Sequence, residues 1–272
     1  MNSTIDILSS LGIKRSGADP VVLVIAAHPD DEVIGAGGVL RYLKKAHFYH
    51  VTDGSPRKCM DAMNAGCTSR EAYARVRREE LLLALKHAGF GPEDCSRIGM
   101  IDQEVSFNMA GLAWRIADII EEWRPDAVFT HPFEGGHPDH DATAFAVSKA
   151  CALAKKKTGS VPKIIEFASY HGNGGIELVA GEFLPFPRSK TWKVILNDIE
   201  CDLKQGMMDC FKSQRQTLED FSVKEEIYRF APKYDFSKAP HEGVLYYEFF
   251  DWGISGRKWI ELANEASGLL EK

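Results

Sequence analysis

Short apolar runs alternate with longer amphipathic ones through the first two-thirds of the chain. The runs PVVLVIAA (20–27), HFYHVT (47–52), CSRIGM (95–100), PDAVFTH (125–131) and KIIEFASY (163–170) are short and rich in Val, Ile, Phe and Tyr. They read as buried strands. Between them, GAGGVLRYLKKA, REAYARVRREELLLALKHAGF, MAGLAWRIADIIEEWR and HDATAFAVSKACALAKKK carry apolar residues three and four apart. Each predicts a helix, the second stopped by its Ala-Gly. Such a rhythm predicts an α/β fold: a mostly parallel sheet with helices on both faces, whose ligands gather beyond the carboxyl ends of the strands.

From about residue 171 the pattern weakens. HGNGGIELVAGEFLPFPRSK reads as a long loop or irregular hairpin, TWKVIL as a strand and DIECDLKQGMMDCFKSQRQTLEDF as a helix. The tail opens with a strand-like aromatic run, YYEFFDW (246–252), and closes with a helical pattern. The expected organisation is one domain over 1–272, with a core over about 20–170 and an irregular C-terminal extension or lid over about 171–272.

Composition narrows the partners. The chain has 272 residues, 44% hydrophobic and 26% charged, enough to bury a full core. A formal charge of -6 and a pI near 5.9 argue against nucleic acid or an anionic membrane as the main partner, because both require a basic surface. A small, neutral or weakly charged ligand fits better. No apolar run approaches the roughly 18 residues of a membrane span, and the N-terminus lacks a basic start followed by an apolar block. Membrane insertion is not expected, and a cytoplasmic location is. The six cysteines (Cys59, Cys67, Cys95, Cys151, Cys201, Cys210) include no CxxC pair and read as reduced thiols. Self-association is left open.

The chemistry concentrates in two stretches that follow predicted strands and precede predicted helices: AHPDDE (27–32) and THPFEGGHPDHDAT (130–143). Three acids in a row repel one another unless a cation sits among them. His28 and Asp31, three apart on a tight turn, with His140 from the second stretch, match the three protein ligands of a catalytic zinc site that leaves one position for water. Asp30 is then placed to accept the proton of that water. His137 could meet the substrate as an imidazolium, stabilising an oxyanion or protonating a leaving amine. Asp139 would orient a histidine by hydrogen bond, and Glu32 would cap or brace the turn. Mixed nitrogen and oxygen donors also accept Fe2+, Co2+ or Mn2+.

AHPDDE, GAGG, TDG (52–54), the Arg77–Glu80 helix, GMIDQEV (99–105) and PDAVFTHPFEGGHPDHDAT together resemble the LmbE-like, or N-acetylglucosaminyl-phosphatidylinositol de-N-acetylase (PIG-L), family of zinc-dependent deacetylases. The resemblance runs from about Val21 to Ser148, with a weaker echo at CFKSQ (210–214). It implies a Rossmann-like sheet and removal of the acetyl group from an N-acetylglucosamine-type conjugate, a small-molecule substrate. It also implies His28, Asp31 and His140 as metal ligands, Asp30 as base, His137 as the oxyanion-stabilising or acid group, and Arg77 and Asp102 as substrate-binding residues. The chain departs from the family at Ser55, where TDGE would be usual, and at the loop 55–69 that follows.

Other readings stand beside these. Each acidic stretch could be a helix cap alone, and a sugar-binding relative without turnover would retain the same groups. GAGG could suggest dinucleotide binding, but the acids before it would face the pyrophosphate, so the glycines read as close helix–sheet packing. His131, next to Pro132, reads as structural, with a hydrogen-bond donor that reaches the site as the alternative. His47, His50, His87, His171 and His241 have no partner spacing, and of these His171 is expected to line a pocket. YYEFFDW reads as a packed strand rather than a sugar platform.

Overall fold

Successive residues of the run at 21–26 serve opposite faces of a sheet: Val22 and Val24 join one apolar cluster, Leu23 and Ile25 the other. This is the consequence of a side-chain period of two in a strand covered on both sides. The computed structural model describes residues 4–13, 19–172 and 174–272. In chain order its elements are α1 (Thr4–Ser10), β1 (Val21–Ala26), α2 (Asp31–Ala36), β2 (Lys45–Pro56), α3 (Met60–Asn64), α4 (Arg70–His87), β3 (Cys95–Asp102), α5 (Met109–Trp123) and β4 (Ala127–Thr130). There follow α6 (Pro138–Thr158), β5 (Lys163–Phe167), β6 (Tyr170–His171), β7 (Val179–Ala180), β8 (Thr191–Ile195), α7 (Asp198–Met208), α8 (Arg215–Leu218), β9 (Glu225–Phe230) and α9 (Gly256–Leu270).

The main sheet has the order β3-β2-β1-β4-β5-β9-β8, while β6 and β7 form a separate two-stranded hairpin. The first five strands are parallel and β9 and β8 close one side antiparallel. Residues of α2, α4 and α7 pack in one cluster and residues of α5, α6 and α9 in the other, so helices cover both faces as expected. The chain leaves β1 toward β2 and, after β3, returns to the other side of β1 as β4. A crevice therefore opens between the carboxyl ends of β1 and β4, the switch point of a doubly wound sheet.

The C-terminal part is more regular than its sequence suggests. Although expected as an irregular extension, it supplies β8 and the unpredicted β9 to the main sheet, so the sheet crosses the expected boundary near 170. The aromatic run is not a strand. Tyr246–Phe249 is a 3-10 turn whose Tyr246 N–H donates to Gly135 O at 2.9 Å, and the Glu248 carboxylate accepts from Leu245 N and Gly256 N, both at 3.0 Å. Local side-chain acceptance thus replaces a ladder. The helix expected at GAGGVLRYLKKA is replaced by α2, which ends at Ala36, and a 3-10 turn at Leu40–Tyr42. A Cβ on Gly35 would lie 2.2 Å from the Phe167 ring, and one on Gly38 2.4 Å from Leu196, in agreement with the packing role read for these glycines.

Candidate metal centre and active site

His28 follows β1, and His137 caps α6 just beyond β4. Because β1 and β4 are adjacent and parallel, with Val22 opposite Ala127 and Val24 opposite Phe129, the two polar stretches meet at one end of the sheet. Asp31 Oδ2 accepts from His28 N at 2.7 Å, which folds the first turn back on itself. His28 Nδ1 lies 3.3 Å from Asp31 Oδ2 and 3.2 Å from His140 Nε2, and His140 Nε2 lies 3.1 Å from Asp31 Oδ1. Bonds of zinc length arranged as a tetrahedron separate neighbouring ligand atoms by about 3.3 Å. The three pairwise contacts are close to that length, with Asp31 meeting His28 through Oδ2 and His140 through Oδ1.

Other groups approach the same point. Ligand atoms of His28, His137 and His140, of Asp31, His131 and His140, and of His28, Asp102 and Asp139 also fall within 4.8 Å of one another. In the first two triads a nitrogen is already engaged: His137 Nδ1 accepts from Asp139 N at 3.1 Å, and His131 Nε2 accepts from Ala27 N at 2.9 Å. In the third, His28 turns its second nitrogen, Nε2, to Asp102 Oδ1 at 3.1 Å and Asp139 Oδ2 at 3.4 Å, contacts without hydrogen-bond alignment. Carboxylates on the far nitrogen are the usual support of a metal-ligating imidazole. Asp139 is itself fixed by Gln103 N at 2.6 Å and Val105 N at 3.1 Å. Asp102, expected at the substrate, thus stands against His28, while its Oδ1 is also 3.9 Å from His137 Nε2.

Asp30 is buried beside Asp31 and holds the unusual backbone angles φ 132° and ψ −26°, a conformation that costs a non-glycine residue on the order of 1–3 kcal/mol. Val33 N and Ile34 N, both at 2.9 Å, hold its carbonyl at the start of α2. Arg77, buried on α4, donates from Nη2 to Pro29 O at 2.7 Å and lies 3.2 Å from Asp30 Oδ2. Its Nε and Nη1 have no hydrogen-bond partner. Gly54, at φ 63°, makes room for this guanidinium: a Cβ there would sit 2.8 Å from Arg77 Nε.

Burial pushes the Asp30 carboxyl up to about 7, with Arg77 pulling against it and Asp31 adding to it. Burial also opposes ionisation of Asp31, but His140, His131 and His28 hold that carboxyl well below the ordinary range. His137 is held well below the ordinary imidazole value by burial and by repulsion from His28 and His140. This differs from the imidazolium expected of it. With Nδ1 accepting from Asp139 N, a neutral His137 carries its proton on Nε2, on the side of the ring facing the crevice.

His50 and Tyr170 escape sequence reading, whereas His131 does reach the site. Besides binding Ala27 N, His131 Nε2 lies 3.3 Å from Asp31 Oδ2, and its ring stacks on His140 at 4.0 Å. His50, without any partner spacing, faces Glu32 Oε2 at 2.9 Å, because strand register sets it opposite Ala26, six residues before Glu32. His171 is buried in the β6–β7 hairpin and does not line the cavity over the cluster, whereas its neighbour Tyr170 does. That cavity measures about 980 Å³ and contains His28, Asp30, Asp31, Arg77, Asp102, His137 and His140 in its wall.

Fold and site together define a doubly wound α/β protein with a mixed histidine and aspartate cluster at its switch point. The GlcNAc-PI de-N-acetylase (PIG-L) family model matches residues 23–151. The protein named "Probable N-acetyl-alpha-D-glucosaminyl L-malate deacetylase 2" in Bacillus subtilis (strain 168) is 33% identical over 149 residues, covering 53% of this chain and 65% of that protein. Its namesake in Bacillus anthracis is 30% identical over 156 residues, covering 55% and 67%. The chain belongs to this family. It spans 65% of the length of the Bacillus subtilis relative, so the match is to a part of each protein.

Two solved structures share the fold at low identity. The zinc-inhibited form of teicoplanin deacetylase Orf2 superposes with a TM-score of 0.56 at 17% identity, covering 79% of this chain and 99% of the other. GalB, the 4-carboxy-2-hydroxymuconate hydratase of Pseudomonas putida KT2440, gives 0.54 at 17% identity, with coverages of 79% and 98%. A deacetylase and a hydratase on one fold mean that the fold alone does not choose the reaction.

Proposed function

We propose that the chain is a metal-dependent amide hydrolase that removes the acetyl group from the nitrogen of an N-acetylglucosamine-type conjugate. The observation that carries this reading is the convergence of His28 Nδ1, the Asp31 carboxylate and His140 Nε2 within 3.1–3.3 Å of one another, with Asp30 alongside. Family membership and the relatives' names favour deacetylation over hydration. His28, Asp31 and His140 would hold the ion, zinc being proposed and Fe2+, Co2+ or Mn2+ being alternatives for such donors. A divalent ion bound there supplies positive charge that acidifies water and polarises a carbonyl.

The remaining chemistry belongs to the chain. Asp30 takes a proton from the water that adds to the amide carbonyl, and its raised value of about 7 suits a group that must bind and release a proton near neutrality. His137, neutral and protonated on Nε2, donates to the oxygen of the tetrahedral carbon. A neutral imidazole that gave up this proton would become an anion, so the proton for the departing nitrogen comes from Asp30. The carbon–nitrogen bond breaks, and acetate and the free amine leave. Asp139 and Asp102 stand beside His28 Nε2 and favour a proton there by charge. Arg77 positions Asp30 from the cavity wall, with its Nε and Nη1 buried and unpartnered.

The proposed partner is a small amino-sugar conjugate. The charge of -6 speaks against nucleic acid, and no helix among the described residues is long and apolar enough to cross a membrane. Six free cysteines fit a reducing, cytoplasmic setting. The direct test is acetate release from a panel of N-acetylglucosaminyl conjugates before and after chelation. Activity that disappears with chelator and returns with one equivalent of zinc, iron, cobalt or manganese is expected, and acetate release indifferent to chelation would refute the metal assignment.

A further inference from the structure

The aromatic run at 246–252 divides its side chains among three environments. Tyr247 is fully buried in the core and Phe249 points outward, whereas Tyr246, Phe250 and Trp252 line the cavity over the histidine and aspartate cluster. Their rings continue the cluster. His137 touches Trp252 at a centroid distance of 4.5 Å, Trp252 stacks on Phe250 at 4.7 Å and 17°, and Phe250 meets Tyr246 at 5.1 Å. Tyr246 meets Tyr170 at 6.0 Å, Tyr170 meets His140 at 5.2 Å, and His140 returns to His137 at 5.2 Å. Six rings thus form a closed circuit that begins and ends on the two histidines of HPDH. The backbone bond from Tyr246 N to Gly135 O ties the segment to the loop preceding those histidines.

Two features make this circuit more than core packing. Phe250 lines the cavity while remaining 39% exposed, so part of its ring is open to a ligand there. The cavity, at about 980 Å³, also lies near the top of the roughly 300–1,000 Å³ range of small-ligand pockets, more than one hexosamine fills. The remaining wall is mixed, with Asn64, Gln103 and Gln214 set among apolar residues such as Ile34, Leu178 and Phe221. A pyranose offers the matching chemistry, an apolar C–H face with hydroxyls around its edge. Trp252 adjoins His137 and Phe250 lies one ring further out, so the sugar at the cluster rests by Trp252 and the next ring by Phe250.

Resting on the proposed deacetylation, we infer that Phe250, backed by Trp252, is the stacking platform for a second sugar ring joined to the N-acetylated one, and sets the preference of this site for a disaccharide-like conjugate. All four non-histidine rings lie outside residues 23–151, the part matched by the family model.

The test compares N,N'-diacetylchitobiose, methyl N-acetylglucosaminide and phenyl N-acetylglucosaminide with the full chain and its Phe250→Ala, Phe250→Leu and Phe250→Tyr variants. Phe250→Ala should lower the ratio of kcat/KM for the disaccharide over the methyl glycoside by about tenfold, chiefly through KM. Phe250→Tyr should restore the ratio and Phe250→Leu should not. Calorimetric binding of the same compounds to Asp30→Asn, with and without Phe250→Ala, reads the platform independently of turnover. Phe250-dependent disaccharide binding without acetate release from any compound would refute the deacetylation and support the platform. An unchanged ratio with unchanged binding, no binding of any of the three, or Phe250 dependence with the phenyl glycoside alone would overturn the platform.

Discussion

Asp30, Asp31 and Glu32 are consecutive carboxylates buried together, each with its own answer to like-charge repulsion. Asp31 is surrounded by His28, His131 and His140, Asp30 by Arg77, and Glu32 by His50. The last pair is measurable through pH. Burial alone would depress His50, but Glu32 and Cys95 raise it to about 10, against about 6.5 for an unperturbed imidazole. A group whose folded value is raised contributes its stability fully below the unfolded value and loses it as pH climbs through the folded one. The gap in unfolding free energy between wild type and His50→Gln is therefore expected to be widest below pH 6.5 and to shrink steadily toward pH 10. Urea denaturation at half-unit pH steps reads this, and a gap that widens with pH would show the pair to be built differently. At this scale the sequence exposes groups held in one local motif, as in AHPDDE and HPDH. It hides those joined by strand register, as with Glu32 and His50.

At the level of elements, the placement of α2 matters most, because the helix begins at the turn that carries His28 and Asp31 and must lie close to the sheet. Gly35 allows this approach. Replacing it with alanine would gain up to about 1 kcal/mol of helix propensity. The new Cβ would meet three atoms of Phe167 at 2.2–2.8 Å, and Phe167 is completely buried. Overpacking of that kind costs on the order of 1–3 kcal/mol, so the clash outweighs propensity. Gly35→Ala should lose about 1 kcal/mol or more in denaturant unfolding, and a stabilised variant would contradict the packing. The strands β1 to β5 and the long helices α4, α5 and α6 were legible because burial on both sheet faces leaves continuous apolar runs and four-residue periodicity. The helix misread at GAGG and the strand misread at YYEFFDW share one cause. Periodicity records which residues are apolar, not whether a neighbouring backbone approaches too closely or a Glu248 carboxylate has claimed the backbone donors.

Across the whole molecule, the site is an assembly. The turn after β1 and the first turn of α6 bring the candidate ligands, β3 brings Asp102, α4 brings Arg77 and the segment before α9 brings Trp252, which packs on His137. Trp259 of α9 reaches back to Pro138 O at 3.2 Å, tying the C-terminal part to the helix that carries His140. Little of this final contribution could be read in advance, since no spacing in the sequence relates residue 252 to residue 137. The crevice between β1 and β4 could be anticipated, because two chemically similar loops after parallel strands have one place to meet. The account rests on a division of labour between neighbouring aspartates, Asp31 holding the ion and Asp30 moving the proton. The most direct measurement is metal content and acetate release for wild type and Asp30→Asn, with an N-acetylglucosaminyl conjugate as substrate. The account predicts one equivalent of metal in both proteins, with turnover in the variant reduced by about a hundredfold or more; Asp30→Asn releasing acetate at the wild-type rate would contradict it.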